Sequence, residues 1–182
     1  MEIIKTPIEG LLIIKPRVFN DPRGFFFESY NEKNFIEAGI NIHFCQDNQS
    51  KSTYGVVRGL HYQLLPHSQS KLVSAIQGTV WDVAVDLRKN SPTFGQWYGV
   101  ELSEENKTQF LIPQGFAHGF SVLSETAVFS YKCDDFYNPT LERGIVYDDI
   151  DLGIDWKIPT DKVLVSEKDT KHPLFKNAEM NF

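Results

Sequence analysis

Most of this chain reads as short runs of apolar, β-branched and aromatic residues broken by turns, the pattern of strands. Ile8–Pro16 is an apolar run ending at proline, and Phe25–Tyr30 is an aromatic run behind the turn Asn20–Gly24. Val56–Tyr62, Lys71–Gln77, Thr79–Asp86, Gln96–Leu102, Thr108–Ile112, His118–Val122 and Thr126–Tyr131 follow as successive strands. Gly55, Gly78, Gly95, Gly115 and Ser91–Pro92 punctuate them. Within Trp81–Leu87 polar and apolar residues partly alternate, which predicts a strand with one wet face. Helical signals are confined to two places. Asn31–Ala38 predicts a short helix stopped by Gly39, and Ser166 is a candidate N-cap for another near the end.

Many evenly spaced short strands favour a sandwich or barrel of the jelly-roll kind. No repeat, low-complexity tract or linker interrupts residues 1–182, so they are read as one domain. At 182 residues such a domain buries roughly two-thirds of its unfolded surface. Net charge is −6, which argues against a polyanion-binding surface and so against nucleic acid, while leaving a small anionic ligand open. The aromatic share of 13% favours strands or a ring-lined pocket. No stretch approaches the roughly 18 apolar residues of a membrane span, and the first residues lack a signal-peptide pattern, so the cytoplasm is expected. Cys45 and Cys133 have no metal-ligand spacing and are read as small buried hydrophobes. The acidic stretch Tyr147–Asp151 lacks a calcium-loop pattern and is read as a solvated turn.

One spacing carries chemistry. Gly55, His61, Gln63, Lys71 and Gly78 resemble the first motif of the cupin barrels, and Pro113–His118 resembles the second. In those barrels two His and a Glu of the first motif converge with a His of the second on a metal. Here Gln63 stands for the second His and Lys71 for the Glu. An ammonium has no lone pair to give and repels a divalent cation, so the pocket is expected to hold no metal. His61, Lys71 and His118 then suit acid–base chemistry on an anionic intermediate.

Longer segments name a narrower family. Asp21–Glu28, Gln46–Asn48, Val57–Gln63, Ser91–Gly95, Ile112–Gly119 and Ser166–Asp169 resemble, in order, those of the dTDP-4-dehydrorhamnose 3,5-epimerases. The resemblance runs from about Ile3 to Asp169. It implies an all-β fold, a cupin-type jelly-roll β-barrel with short peripheral helices, usually a homodimer. It implies cofactor-free inversion of C3 and C5 in a dTDP-4-keto-6-deoxy sugar. It further implies His61 as base, Asp169 as its partner and Tyr131 as acid on the opposite face. Arg23, Glu28, Gln46, Asn48, Arg58, Gln63, Lys71, His118, Glu142 and Lys168 match the substrate contacts. Phe136 stands where some relatives have Tyr, which bears on product control.

The reaction explains the residue types. Protons at C3 and C5 are acidic because both carbons flank the C4 ketone. An imidazole, with an ordinary pKa of about 6.5, suits the base, and a carboxylate partner holds its tautomer. A phenol stays protonated at neutral pH and suits the acid. Negative charge collects on the C4 oxygen, where Lys71 and His118 are expected to stabilise it. Arg23, Arg58 and Lys168 are candidates for the diphosphate.

Taken singly, each residue has a plainer reading. His61 could be a satisfied strand histidine, Tyr131 a core aromatic and Asp169 a helix-start carboxylate. His118 could be structural, Arg23 a turn arginine and Lys168 a solvated one. His43, His67 and His172 carry no matching context and are read as surface or loop residues. A metal-dependent cupin and a non-catalytic sugar-nucleotide-binding jelly roll are the competing functions, with single-carbon epimerisation as a close variant.

Overall fold

The computed structural model describes residues 1–182. Two antiparallel sheets face each other. The first has six strands in the order β1 (Glu2–Lys5), β2 (Leu12–Lys15), β10 (Gln109–Ile112), β7 (Lys71–Gln77), β12 (Thr126–Cys133), β5 (Gln46–Thr53). The second has five, in the order β13 (Glu142–Gly144), β6 (Val57–Gln63), β11 (Phe116–Val122), β8 (Thr79–Asp86), β9 (Trp97–Ser103). A small hairpin of β3 (Phe19–Asp21) and β4 (Gly24–Phe26) stands apart. The fold is nearly all-β, as the patterning predicts.

The core lies between the sheets. Val73, Phe110 and Phe129 from the first meet Val80, Ala84, Leu102, Phe120 and Val122 from the second in one buried cluster. Phe120 and Phe129 stack with centroids 4.2 Å apart. Burying each such ring contributes about 1.5–3 kcal/mol. A second cluster on the outer side of β6 and β8 is covered by the C-terminal segment, which contributes Trp156, Phe175 and Phe182. A third seats Phe35 of helix α1 (Glu32–Glu37) against Ile14, Leu72 and Leu111. Asn31 caps that helix by accepting from the Asn34 N–H at 3.3 Å, and Gly39, at φ +84°, follows its end. At the other end of the chain Ser166 Oγ accepts from the Asp169 N–H at 3.1 Å, but the turn it caps, Asp169–Lys171, is 3₁₀ and only one turn long.

Several expectations need correction. The run Ile8–Pro16 forms a strand only over Leu12–Lys15, and Phe25–Tyr30 yields only the short hairpin strand β4. Strand β5 is wholly polar (Gln-Asp-Asn-Gln-Ser-Lys-Ser-Thr) and pairs with β12 along its full length. The wet face read into Trp81–Leu87 is dry: Asp82 and Asp86 are both fully buried. Each has a hydrogen-bonding partner, the His118 ring for Asp82 and the Arg88 guanidinium for Asp86, which is what makes a buried carboxyl tolerable. Asp149 in the acidic stretch is buried too, because its carboxylate accepts from the N–H groups of Asp151, Leu152 and Phe175. Cys133 is buried, whereas Cys45 is exposed.

Candidate active site

Strand alternation aims one face of β6, β7, β12 and β5 into a cavity of about 270 Å³ at one end of the two sheets. Its lining includes His61, Gln63, Lys71, Tyr131, Gln46, Asn48 and Glu142. The register explains the gathering. Tyr131 lies opposite Asn48, and Cys133 lies opposite both Gln46 and Lys71. In the other sheet His61 lies opposite both His118 and Gly144. Thus His61 enters from one sheet and Tyr131 from the other. The Lys71 ammonium stands 5.8 Å from the Tyr131 ring centroid.

His61 Nε2 and Asp169 Oδ1 are 2.8 Å apart. Burial pushes Asp169 up, but the His61 bond and charge, the Gly59 N–H and His172 outweigh it and hold the carboxyl below its usual range. The Tyr131 phenol is raised, by burial first and then by Cys133. Lys71 is lowered, because desolvation works against the ammonium more than Cys133, Asp82 and Glu142 support it. Behind Lys71, His118 Nε2 meets the two Asp82 oxygens at 2.9 and 3.1 Å. Burial dominates both groups, lowering the imidazole and raising the carboxyl.

The remaining sequence-selected residues divide into two groups. Glu142 accepts from Tyr137 at 3.0 Å and from Lys168 at 2.5 Å, so both reach the cavity rim. Desolvation raises Glu142, but these two donors bring it net below its ordinary value. Arg58, Lys168 and Asp169 line an adjoining groove of about 580 Å³ that shares His61 with the cavity. Arg23 and Glu28 lie away from both. Arg23 is 90% exposed on the β3–β4 hairpin and pairs with Asp21. Glu28 binds Asn31 and Asn34 at the start of α1.

Gln63 departs from a substrate-contact role. Its Oε1 accepts from the Asn138 N–H at 2.7 Å, and its Nε2 donates to the carbonyls of His67 and Phe136 at 2.6 and 3.3 Å. The amide where cupins have a metal ligand is spent on holding two loops. Tyr137, carried by one of those loops, and Gln69, on the other, line the cavity and were not selected from sequence. Asp82 was also missed, because Trp81–Leu87 carries two carboxylates and nothing local marks one of them as the partner of His118. His172 is not a surface residue: its side chain is 13% exposed and its Nε2 lies 3.4 Å from Asp169 Oδ1. His67, by contrast, is a loop residue bonded to Asp135 at 2.9 Å, and His43 is exposed beside Glu32.

Comparison with known proteins agrees with this geometry. Residues 5–177 match the family model for dTDP-4-dehydrorhamnose 3,5-epimerase. A curated relative of that name from Shigella flexneri is 55% identical over 180 residues, 98% of each chain. The crystal structure of dTDP-4-dehydrorhamnose 3,5-epimerase from Elizabethkingia anophelis superposes with a TM-score of 0.93 at 61% identity, covering 97% of both chains. The Legionella pneumophila enzyme in complex with dTDP-4-keto-L-rhamnose has a TM-score of 0.93 at 53% identity, covering 97% of this chain and 93% of the other. With the family model matched from strand β1 to the C-terminal segment, and with His61, bonded to Asp169, sharing one cavity with Tyr131, this chain belongs to the dTDP-4-dehydrorhamnose 3,5-epimerase family of isomerases.

Proposed function

We propose that the chain inverts C3 and C5 of dTDP-4-dehydro-6-deoxy-D-glucose to give dTDP-4-dehydro-L-rhamnose, using side chains alone. The observation that carries this reading is the approach of His61 and Tyr131 to one cavity from opposite sheets, with Lys71 beside them. Asp169 accepts from His61 Nε2, so the proton of the neutral ring sits on Nε2 and Nδ1 is the basic nitrogen. Nδ1 takes the proton from the carbon beside the C4 ketone, and the electron pair moves onto the C4 oxygen as an enolate. Tyr131 then delivers a proton to the same carbon from the other side, and repetition at the second carbon completes the change. A positioned base or acid is worth roughly 10² to 10⁴ in rate.

The enolate oxygen is the province of Lys71, with His118 and Asp82 behind it; one fixed donor there is worth roughly 10² to 10³. A cavity of about 270 Å³ suits the sugar end of the substrate, being smaller than the roughly 300–1,000 Å³ that enclose a whole drug-sized ligand. The adjoining groove with Arg58 and Lys168 is our candidate for the diphosphate, and Gln46 and Asn48 for sugar or base contacts. Arg23 and Glu28 would have to reach substrate from elsewhere than this cavity. The rings of Phe19, Phe25 and Phe26, exposed on the hairpin that bears Arg23, support a homodimer as the working unit. We read the paired sheets as one cupin-type jelly-roll domain, and the free cysteines fit a reducing cytoplasm.

The test is incubation with the 4-keto sugar nucleotide in heavy water, followed by NMR and mass analysis. Deuterium enters at C3 and C5, activity survives chelators, and His61→Asn abolishes exchange at both carbons. Exchange retained in that variant removes His61 from the mechanism. Exchange at one carbon only means a mono-epimerase, with Phe136 the first residue to vary. Activity lost on chelation revives a metal-dependent cupin, and binding of dTDP with no exchange at all reduces the chain to a binding module.

A further inference from the structure

His172 is buried on the flank of the His61–Asp169 pair with a ring nitrogen that neither packing nor the reaction uses. Its ring sits over Gly144, where an added Cβ would stand 2.4 Å from Nε2, so glycine is what admits it. It meets the His61 ring edge-on, centroids 5.6 Å apart at 78°. Nε2 is 3.4 Å from Asp169 Oδ1 but is buried without a hydrogen-bond partner. Leaving such a group unpaired is costly, and buried orphans of this kind often mark an ion or water site.

One donor atom each from His61, Asp169 and His172 lies within 4.8 Å of the other two. Tetrahedral Zn²⁺, with bonds of about 2.0–2.2 Å to nitrogen and carboxylate oxygen, sets neighbouring donors about 3.3 Å apart. The separations from Asp169 Oδ1, 2.8 Å to His61 and 3.4 Å to His172, bracket that value. Two imidazole nitrogens and a carboxylate suit a borderline ion such as Zn²⁺. The nearby Lys168 ammonium is drawn off by Glu142 at 2.5 Å.

We propose that His61, Asp169 and His172 form a binding site for Zn²⁺ or a similar ion, and that the bound ion switches the enzyme off. This site is distinct from the cupin position that Lys71 and Gln63 have given up. Its inhibitory half rests on His61 being the base. When the ion takes Nε2, the proton of the neutral ring must move to Nδ1. Nδ1 then has no lone pair for a substrate proton, and Asp169 no longer accepts from the ring. No net proton is released.

Co²⁺ titrated into the full chain reads the site directly. One ion binds per chain, with the visible bands of tetrahedral cobalt, and His172→Gln weakens binding by at least the roughly 10- to 100-fold that losing even an outer partner of a ligand costs. Anomalous diffraction from a Zn²⁺ soak of the unmodified protein gives one peak among the three side chains, an observation that needs no variant to fold. Zn²⁺ at one equivalent suppresses solvent deuterium exchange, and EDTA restores it. No ion bound, a peak elsewhere, or unchanged affinity in His172→Gln overturns the site. An ion at the trio with exchange undiminished overturns the inhibition; whether the base assignment falls too is read separately from His61→Asn.

Discussion

Lys71 is a cation held where burial works against it, and its neighbours decide how far. Desolvation lowers its pKa, while Cys133, Asp82 and Glu142 raise it. Asp82→Asn removes one of these supporting charges, so the ammonium is lost at a lower pH than in the parent. The alkaline limb of the kcat–pH profile should therefore move to lower pH; an unmoved limb would uncouple Asp82 from Lys71. Tyr131 behaves oppositely, since burial and Cys133 raise its phenol and keep it protonated well above neutrality. Tyr131→Phe should retain deuterium exchange through His61 yet lose roughly 10² to 10⁴ in inverted product. Comparable losses of exchange and of product would assign Tyr131 to abstraction as well. His61 and Lys71 could be picked out in the sequence because they stand in motifs, and Tyr131 only through the family resemblance. Asp82 and His172 could not, because their significance lies in what they touch across 36 and 3 positions respectively.

Strand β6 holds His61 where it is needed through a crossing with β11 that tolerates no side chain. Gly59 has φ +125°, and a Cβ there would lie 2.6 Å from Gly119 Cα and 2.8 Å from the His118 carbonyl oxygen. The β6–β11 register shifts at this point, between His118 and Phe120, and brings His118 opposite His61. Gly59→Ala should cost at least about 1–3 kcal/mol from backbone strain alone and lower activity with it. Urea unfolding measures this directly, and a loss within the roughly 0.5 kcal/mol of an ordinary surface change would mean the strands part easily. Elements with apolar runs were legible, as β7, β8 and β12 attest. Strand β5 was not, for it has no apolar side chain to betray it. It is an edge strand whose order comes from its ladder with β12, a partner roughly 80 positions away in the chain.

At the scale of the whole molecule, two buried neutral groups tie stability to alkaline pH. Burial pushes Cys133 from 9.0 to about 11 and Tyr62 from 10.0 to about 12. The folded state holds these protons more tightly than the unfolded chain does. Their contribution is therefore complete below the unfolded values and fades as pH rises through the folded ones. Urea midpoints should fall from about pH 9 to about pH 12, and Cys133→Ala should delay the onset toward pH 10. A parent midpoint that holds constant across that window would show that neither group is buried as placed. Tyr62 also anchors the tail behind the catalytic strand, since its hydroxyl donates to the Glu179 carbonyl at 2.7 Å. The order of amino acids by itself determined the strand-rich character, the family and the motif-borne groups, because period-2 patterning and local spacing are written along the chain. Only the tertiary structure decided that Asp82 is dry, that Gln63 is spent on loops and that His172 flanks the base. Those outcomes depend on which strands lie side by side, and pairing between distant segments is set by burial and register that no local run of residues contains.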